Sequence, residues 1–278
     1  MKAKILITAL LCSGMMVAQN FQGKATYKTH TKMNLKLGGR QGSTMTEEQK
    51  AKMNARLMKQ FQKTFVLSFD KNTSIYKEEK SLKAPSVMPS NGMNVMVMGN
   101  GGGNDVVYKN IKEQRFVNKT EIMSKLFLIK DDLPKYDWKL SGETKSIGKY
   151  TCYKATYTRE EERTNMSLEN GEVTEKKEKV DVVTTAWYTP QIPVSNGPGD
   201  YNGLPGLILE VREGNRTVIC SEIVMNPKEK IVIEEPTKGK KVTQSQYRKI
   251  MDKKTKEMMD RFRSRRGDGN SVEIRIGG

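Results

Sequence analysis

The feature that most constrains the fold of this chain is a two-residue alternation of apolar and polar side chains in short runs. In the first run, Ala25 and Tyr27 would share one face, while Lys24, Thr26 and Lys28 would share the other. Such alternation is typical of antiparallel strands with one buried face. It recurs at 65–70, 105–109, 114–118, 150–159, 180–188, 206–212, 216–225 and 230–234. We therefore expect a mainly β protein with an antiparallel, strongly curved sheet or half-barrel, because a sheet of many strands twists.

One segment near the N-terminus predicts a helix instead. Thr46 and Gln49 fit a capping box, and apolar residues then recur at every fourth position from Met53 to Phe65. This pattern indicates a short N-terminal helical insert within the β domain.

A second helix is predicted near the C-terminus, where Thr243 and Gln246 fit another capping box. The apolar stripe of this helix consists of Tyr247, Ile250, Met251, Met258, Met259 and Phe262. Between residues 238 and 266 there are twelve lysines and arginines against three acids, a net charge of +9. A basic amphipathic helix of this kind either packs its stripe on the sheet or binds a partner groove or an anionic membrane surface through 243–266. An alternating run at 272–276 predicts a terminal edge strand.

The N-terminus has the pattern of a secretory signal peptide. Lys2 and Lys4 precede an apolar stretch that ends near Met16, with small-residue cleavage positions around Ala18. The expected organisation is a signal peptide at 1–19, an antiparallel β domain at 20–235, and the basic helix with its edge strand at 236–278. We expect the protein to be exported, and to be periplasmic or associated with the outer membrane.

Composition excludes several classes of protein. The chain has 278 residues, a formal net charge of +17 and a mean hydropathy of −0.67, and after residue 19 no apolar run is long enough to span a membrane. Its one histidine, His30, and three cysteines do not fit the usual zinc sites or a serine–histidine–aspartate triad. Export favours pairing of the two cysteines of the mature chain, Cys152 and Cys220, and two separate buried thiols are the alternative.

The most unusual local sequence is a loop punctuated by proline and glycine that links two predicted strands. It runs from Trp187 to Ile208 and contains Pro190, Pro193, Pro198 and Pro205. Each proline fixes φ, so the loop loses little entropy when it adopts one shape. The loop is either a structural crossover at the end of a sheet or a preformed surface for a partner.

Within this loop, residues 203–208 read Gly-Leu-Pro-Gly-Leu-Ile, and the chain here resembles the GLPGLI family of secreted Bacteroidetes proteins. The pairs at 187–188, 192–193 and 197–198 and the segment at 140–155 also fit the pattern of that family. The resemblance implies an exported protein whose relatives often occur near TonB-dependent outer-membrane receptors. A related domain precedes some secreted glycoamidases, which implies an accessory module, and no catalytic activity is carried over. The Met-rich segment and the basic helix depart from the family pattern.

We expect the loop to supply a partner-binding surface. The aromatic residues would make rigid contacts, and the prolines would hold the loop in shape. The predicted partner-binding residues are Trp187, Tyr188, Ile192, Pro193, Gly197, Pro198, Tyr201, Gly203, Leu204, Pro205, Gly206, Leu207 and Ile208. The expected partner is an outer-membrane receptor or another envelope protein.

Two other functions remain open from the sequence. Met88, Met93, Met96 and Met98 could bind Cu(I), because clustered thioethers are soft ligands, although methionine also serves as adaptable packing. A hydrolase would need paired carboxylates, but the glutamates at 160–162 and 172–178 lie among lysines and arginines, which indicates a solvated hairpin. We therefore predict a non-catalytic envelope protein with no cofactor and no nucleic-acid partner.

Overall fold

The computed structural model describes residues 21–31, 46, 48, 62–79, 105–169, 172–265 and 274–276, with only the backbone described at 163–169, 172–176, 258–265 and 274–276. The described residues form thirteen strands and a C-terminal helix, α1. In chain order these elements are β1 (Gln22–Thr31), β2 (Thr64–Asp70), β3 (Thr73–Glu78), β4 (Val106–Asn110), β5 (Arg115–Ile122), β6 (Lys125–Asp132), β7 (Lys139–Ile147), β8 (Tyr150–Glu169), β9 (Glu172–Thr189), β10 (Leu207–Glu213), β11 (Arg216–Met225), β12 (Lys240–Val242), α1 (Gln244–Arg265) and β13 (Ile274–Ile276). No helix within these ranges is long and apolar enough to cross a membrane.

All thirteen strands belong to one open sheet, so the mainly β expectation is confirmed. Twelve of them follow the order β12-β6-β5-β4-β3-β2-β1-β11-β10-β9-β8-β13, and β7 pairs with the first part of β8. The strands pair antiparallel except for β12, which runs parallel to β6. Strand β1 lies in the middle of the sheet, between β2 and β11.

The predicted alternation in β1 is confirmed. Gly23, Ala25, Tyr27 and Thr29 are buried, whereas the residues between them are half-buried or exposed. The buried side chains join a core cluster, which we call the main core. It consists of Ala25, Tyr27, Leu67, Phe69, Tyr76, Cys152, Ile192, Val194, Leu207, Leu209, Val218 and Cys220.

The run at 230–234 was predicted to be a strand, and this prediction is wrong. The backbone there is not paired as a strand and instead crosses the sheet. Ile231 is buried, and Ile233 packs against Tyr108, Val117 and Leu128. The alternation arises because one side of an unpaired segment covers the sheet.

The C-terminal helix begins as predicted. The backbone N–H of Gln246 donates to Thr243 Oγ1 at 3.2 Å, and the N–H of Thr243 donates to Gln246 Oε1 at 3.0 Å, which is a reciprocal capping box. Tyr247 and Ile250 of the predicted stripe pack on the sheet beside Phe127. The predicted terminal edge strand is β13, which pairs with β8.

Three predicted features near the N-terminus fall largely or wholly outside the described ranges. Of the predicted helical insert, Thr46 and Glu48 are described, and Glu48 is helical. The predicted signal peptide at 1–19 and the Met-rich segment at 88–98 lie outside the described residues.

Candidate functional site

The loop at 190–206, between β9 and β10, is held by its own backbone. The N–H of Leu207 donates to the carbonyl of Ile192 at 3.0 Å, and the N–H of Ile208 donates to the carbonyl of Asn196 at 2.9 Å. Asn196 also forms a β-bridge with Asn202 inside the loop. Together with the fixed φ angles of its prolines, these bonds give the loop one defined shape.

The loop fills two clusters at the end of the sheet. Ile192 and Val194 belong to the main core. Leu204 belongs to a second cluster, with Ala155, Ala186, Tyr188, Ile208 and Val211. The loop is therefore anchored by buried apolar side chains at both of its ends.

The two glycines of the 203–208 motif meet separate backbone requirements. Gly203 has a φ of +91°, a conformation that side chains with a Cβ rarely adopt. A Cβ on Gly206 would overlap the carbonyl of Thr189, so only glycine allows the backbone to approach this closely. Between them, Leu204 is buried and Pro205 is exposed.

A lysine that was not predicted from the sequence lies under this loop. Lys109 on β4 has no exposed surface, and its Nζ donates to the carbonyls of Gly197 at 2.8 Å and Tyr201 at 3.0 Å. Burial lowers the pKa of Lys109 to about 7, and the negative charge of Asp200 acts in the opposite direction. Lys109 therefore links the middle of the sheet to the loop.

Lys109 could have been found from the sequence, because the alternation at 105–109 places it on the same face as Val107. A charged residue on a core-facing position needs internal hydrogen-bond partners. What the sequence does not show is that these partners are carbonyls about ninety residues further along the chain.

Trp138 holds the second half of the loop. Its indole N–H donates to the carbonyl of Asn202 at 2.8 Å, and its ring lies 3.6 Å from the position of a Cβ on Gly203. The side-chain amide of Asn202 donates to the carbonyls of Pro134 and Asp200. These bonds fix the loop against the segment before β7.

Four half-buried aromatic rings, which we call the aromatic cluster, flank the loop. They are Tyr136, Trp138, Tyr157 and Tyr201, with ring centroids 5.2 to 6.4 Å apart in the contacting pairs. Burial raises the pKa of Tyr136 and of Tyr201, so both phenols remain protonated at neutral pH. Of these four residues, only Tyr201 was predicted from the sequence as a site residue.

An ion pair lies beside the aromatic cluster. Arg159 donates to both carboxylate oxygens of Glu213, at 2.5 and 3.0 Å, and Thr184 and Tyr201 also donate to this carboxylate. Burial opposes ionisation of Glu213, but the hydrogen bonds from Arg159, Thr184 and Tyr201 outweigh it and hold the pKa below its usual range. A carboxyl in this environment is a poor proton donor at neutral pH.

Exposure divides the thirteen predicted partner-binding residues into two groups. Exposed backbone or side chains are found at Pro193, Gly203 and Pro205, and Trp187 and Tyr201 are half-buried. The buried group consists of Tyr188, Ile192, Gly197, Pro198, Leu204, Gly206, Leu207 and Ile208. The buried residues shape the loop, so surface contact with a partner is available mainly to the first group.

Trp187 has a defined environment in the core. It packs against the main core, and the ammonium of Lys145 lies 4.3 Å from its ring centroid. The same ammonium donates to Glu210 at 2.6 Å, and the side chain of Glu210 is only 5% exposed. Truncation of Trp187 would therefore disturb a buried ion pair as well as the loop.

The other predicted sites are placed as follows. Cys152 and Cys220 are free, buried cysteines that both belong to the main core, so their pairing stays a prediction. Met88, Met93, Met96 and Met98 lie outside the described residues. Among the residues that are described, no group of three or more histidine, cysteine, aspartate or glutamate side chains could hold a metal ion.

Comparison with known proteins places this loop inside a recognised family segment. Residues 138–210 match a family described as "Protein of unknown function (Porph_ging)". The matched segment begins at Trp138, contains β7 to β9 and the whole loop, and ends at Glu210 in β10. No curated protein matches the chain.

Two solved structures resemble this chain, namely PNGF-II in the C2 and P21 space groups. They are 13% and 12% identical to it, each with a TM-score of 0.46, and the match covers 82% of this chain and 32% of the other. This chain therefore spans about a third of the length of the PNGF-II chain.

Proposed function

We propose that this protein is a non-catalytic binding or accessory factor of the cell envelope that contacts its partner through the loop at 190–206. The observation that carries the proposal is the fixation of this loop by buried groups, above all Lys109, while Pro193, Gly203 and Pro205 remain exposed. A preformed surface binds with a smaller loss of entropy than a flexible loop.

The proposed partner is an outer-membrane receptor or another envelope protein. The proposal includes membership of the GLPGLI family, which is supported by the hexapeptide at 203–208 and is associated with TonB-dependent receptors. It also includes export to the periplasm or outer membrane, supported by the signal-peptide pattern at 1–19.

We further infer that the sheet is strongly curved, with the loop inside the curve. Tyr76 on β3 and Cys152 on β8 belong to one core cluster, although six strand intervals separate them in the sheet order. In a flat sheet, six intervals span about 29 Å, far beyond side-chain contact. Lys109 on β4 likewise reaches the loop between β9 and β10.

The test is crosslinking in intact cells of the native host, followed by identification of the proteins that co-purify with the tagged chain. The variant is Pro193→Glu combined with Pro205→Glu, because both residues are exposed and the new charges need no rearrangement of the core. We expect recovery of the partner to fall at least tenfold, with the melting temperature nearly unchanged.

The matched control is Val232→Glu, which adds charge at an apolar side chain that is 63% exposed and lies outside the loop. This variant should capture the partner as the wild type does. If the folded loop variant retained its partner, the loop would not be the contact surface. Purified protein that carried copper and captured no envelope protein would favour the Met-rich segment instead.

A further inference from the structure

A second surface, remote from the loop in sequence, lies where α1 crosses the β5–β6 hairpin. An apolar cavity of about 130 Å³ is lined by Ile122, Met123, Phe127 and Ile250 and by the side chains of Lys125 and Lys254. A wider cavity of about 410 Å³ adjoins it at Ile250 and is lined by Lys240, Lys241, Val242, Gln246 and Lys249. We call the two together the α1 groove.

The tip of the β5–β6 hairpin projects an apolar side chain beside this groove. Met123 is 54% exposed, and Leu126, three residues later, is 38% exposed. Met123 and Ser124 both have positive φ, 47° and 63°, and lie between the paired residues Ile122 and Lys125. This is the backbone of a type I′ turn, which normally takes Asn-Gly, so methionine here is unfavourable for the turn.

Lysines surround the apolar surface without acidic partners. Lys125, Lys240, Lys241 and Lys249 are exposed, and within the described part of the chain none of them forms a salt bridge. Lys254 is the exception, since it pairs with Glu257 on the same helix. The result is an apolar tip and groove with a rim of uncompensated positive charge.

We propose that the α1 groove and the hairpin tip bind the surface of an anionic phospholipid membrane. Met123 and Leu126 enter the interface between headgroups and acyl chains, and the lysines bind the lipid phosphates. Membrane-surface binding depends on buried apolar area together with attraction of Lys and Arg to anionic lipids. A protein partner needs directional hydrogen bonds, but Gln246 is the only uncharged polar side chain in the lining.

The experiment is flotation of the purified protein with vesicles at about 0.1 M salt, using either phosphatidylcholine alone or phosphatidylcholine with phosphatidylglycerol. We expect binding to the anionic vesicles only, and weaker binding at higher salt because screening shortens the range of the lysine charges. Failure to bind the anionic vesicles would overturn the proposal and leave an acidic protein surface as the occupant.

The tip is tested with Met123→Asn combined with Ser124→Gly. These residues suit a type I′ turn, so the variant should melt at or above the wild-type temperature. Because the apolar tip is removed, vesicle affinity should fall about tenfold. A stable variant that binds vesicles as tightly as the wild type would contradict the role of the tip.

The charged rim is tested with Lys241→Gln combined with Lys249→Gln. Each lysine near an anionic surface contributes roughly fivefold to affinity, so the pair should cost at least tenfold. The matched control is Lys71→Gln with Lys112→Gln, two exposed lysines at the opposite end of the strands, and it should change affinity less than twofold. Equal losses in both pairs would show attraction by net charge alone and no defined site.

Two further arms distinguish membrane binding at the α1 groove from capture of free phosphate and from binding through the loop at 190–206. Millimolar inorganic phosphate should not release the protein from vesicles, and full release would mean that the groove takes free phosphate. The Pro193→Glu and Pro205→Glu variant should bind vesicles normally, because the loop is a separate surface. The membrane proposal can therefore fail without affecting the proposed function of the loop.

Discussion

At the scale of single residues, the loop depends on a buried cation that has no carboxylate in direct contact. The ammonium of Lys109 donates to two backbone carbonyls, and Asp200 acts on it through its negative charge. A buried ammonium loses its hydration, and the two carbonyls replace only part of it. The proton on Lys109 is therefore held less firmly in the folded chain than in water.

This predicts a pH dependence of stability. The pKa of Lys109 is about 7 when folded, against 10.5 for an ordinary lysine, so the unfolded chain binds more protons between these values. The free energy of unfolding should therefore rise with pH above 7. We expect urea unfolding to show this rise between pH 7 and 8.5, below the titration of unfolded thiols.

The control for this slope is Lys109→Met, which keeps an unbranched side chain of similar length and removes the titrating group. The difference in stability between this variant and the wild type should change steadily from pH 7 to 8.5. A difference that stays constant over this range would mean that Lys109 remains protonated in the folded protein.

Sequence patterns were informative about residues only where local geometry decides their role. The 203–208 motif was recognised from the sequence, and its glycines meet local requirements, a positive φ at Gly203 and a close backbone approach at Gly206. Trp138 was missed because its role depends on a hydrogen bond to Asn202, 64 residues away. Tyr136 and Tyr157 were missed for the same reason, since their partners come from separate segments.

At the scale of elements, the sequence predicts strands best where one face is wet. Strand β1 alternates because only one of its faces is in the core. Strand β6 was not predicted, since Phe127 packs toward α1 and Leu128 packs toward Ile233, which leaves a continuous apolar run. Strand β7 was not predicted either, because its residues are exposed or half-buried and carry little apolar pattern.

The start of α1 allows a test at this scale. Thr243→Ala removes the hydroxyl that accepts from the N–H of Gln246, and loss of such a cap costs about 1 kcal/mol. Hydrogen exchange of the first-turn amides of α1 should therefore accelerate about fivefold. Ser245→Ala, at an exposed neighbouring position, is the control and should leave exchange unchanged. Equal exchange in Thr243→Ala and wild type would show that the cap does not stabilise the helix.

At the scale of the whole molecule, the two cysteines and the curvature of the sheet are one question. Strands β8 and β11 are three intervals apart in the sheet order, which is about 14 Å in a flat sheet. A disulfide requires Cα atoms within about 7 Å, so Cys152 and Cys220 can pair only if the sheet curves. Burial raises the pKa of the Cys220 thiol to about 12, and a negative charge on Cys152 raises it further, which indicates that the two side chains are near each other.

Free-thiol counting on exported, non-reduced and denatured protein decides between the two states. We expect no free thiol, and we expect one in each of the variants Cys152→Ser and Cys220→Ser. Two free thiols in the wild type would contradict the pairing. A bond that closes this loop of almost seventy residues should add on the order of 4 kcal/mol to stability, which reduction would remove. Because burial also raises the pKa of Cys152, to about 11, the folded thiols are poor nucleophiles. Oxidation must therefore occur while β8 and β11 are still accessible, so a chain folded first under reducing conditions should retain both thiols after exposure to oxidant.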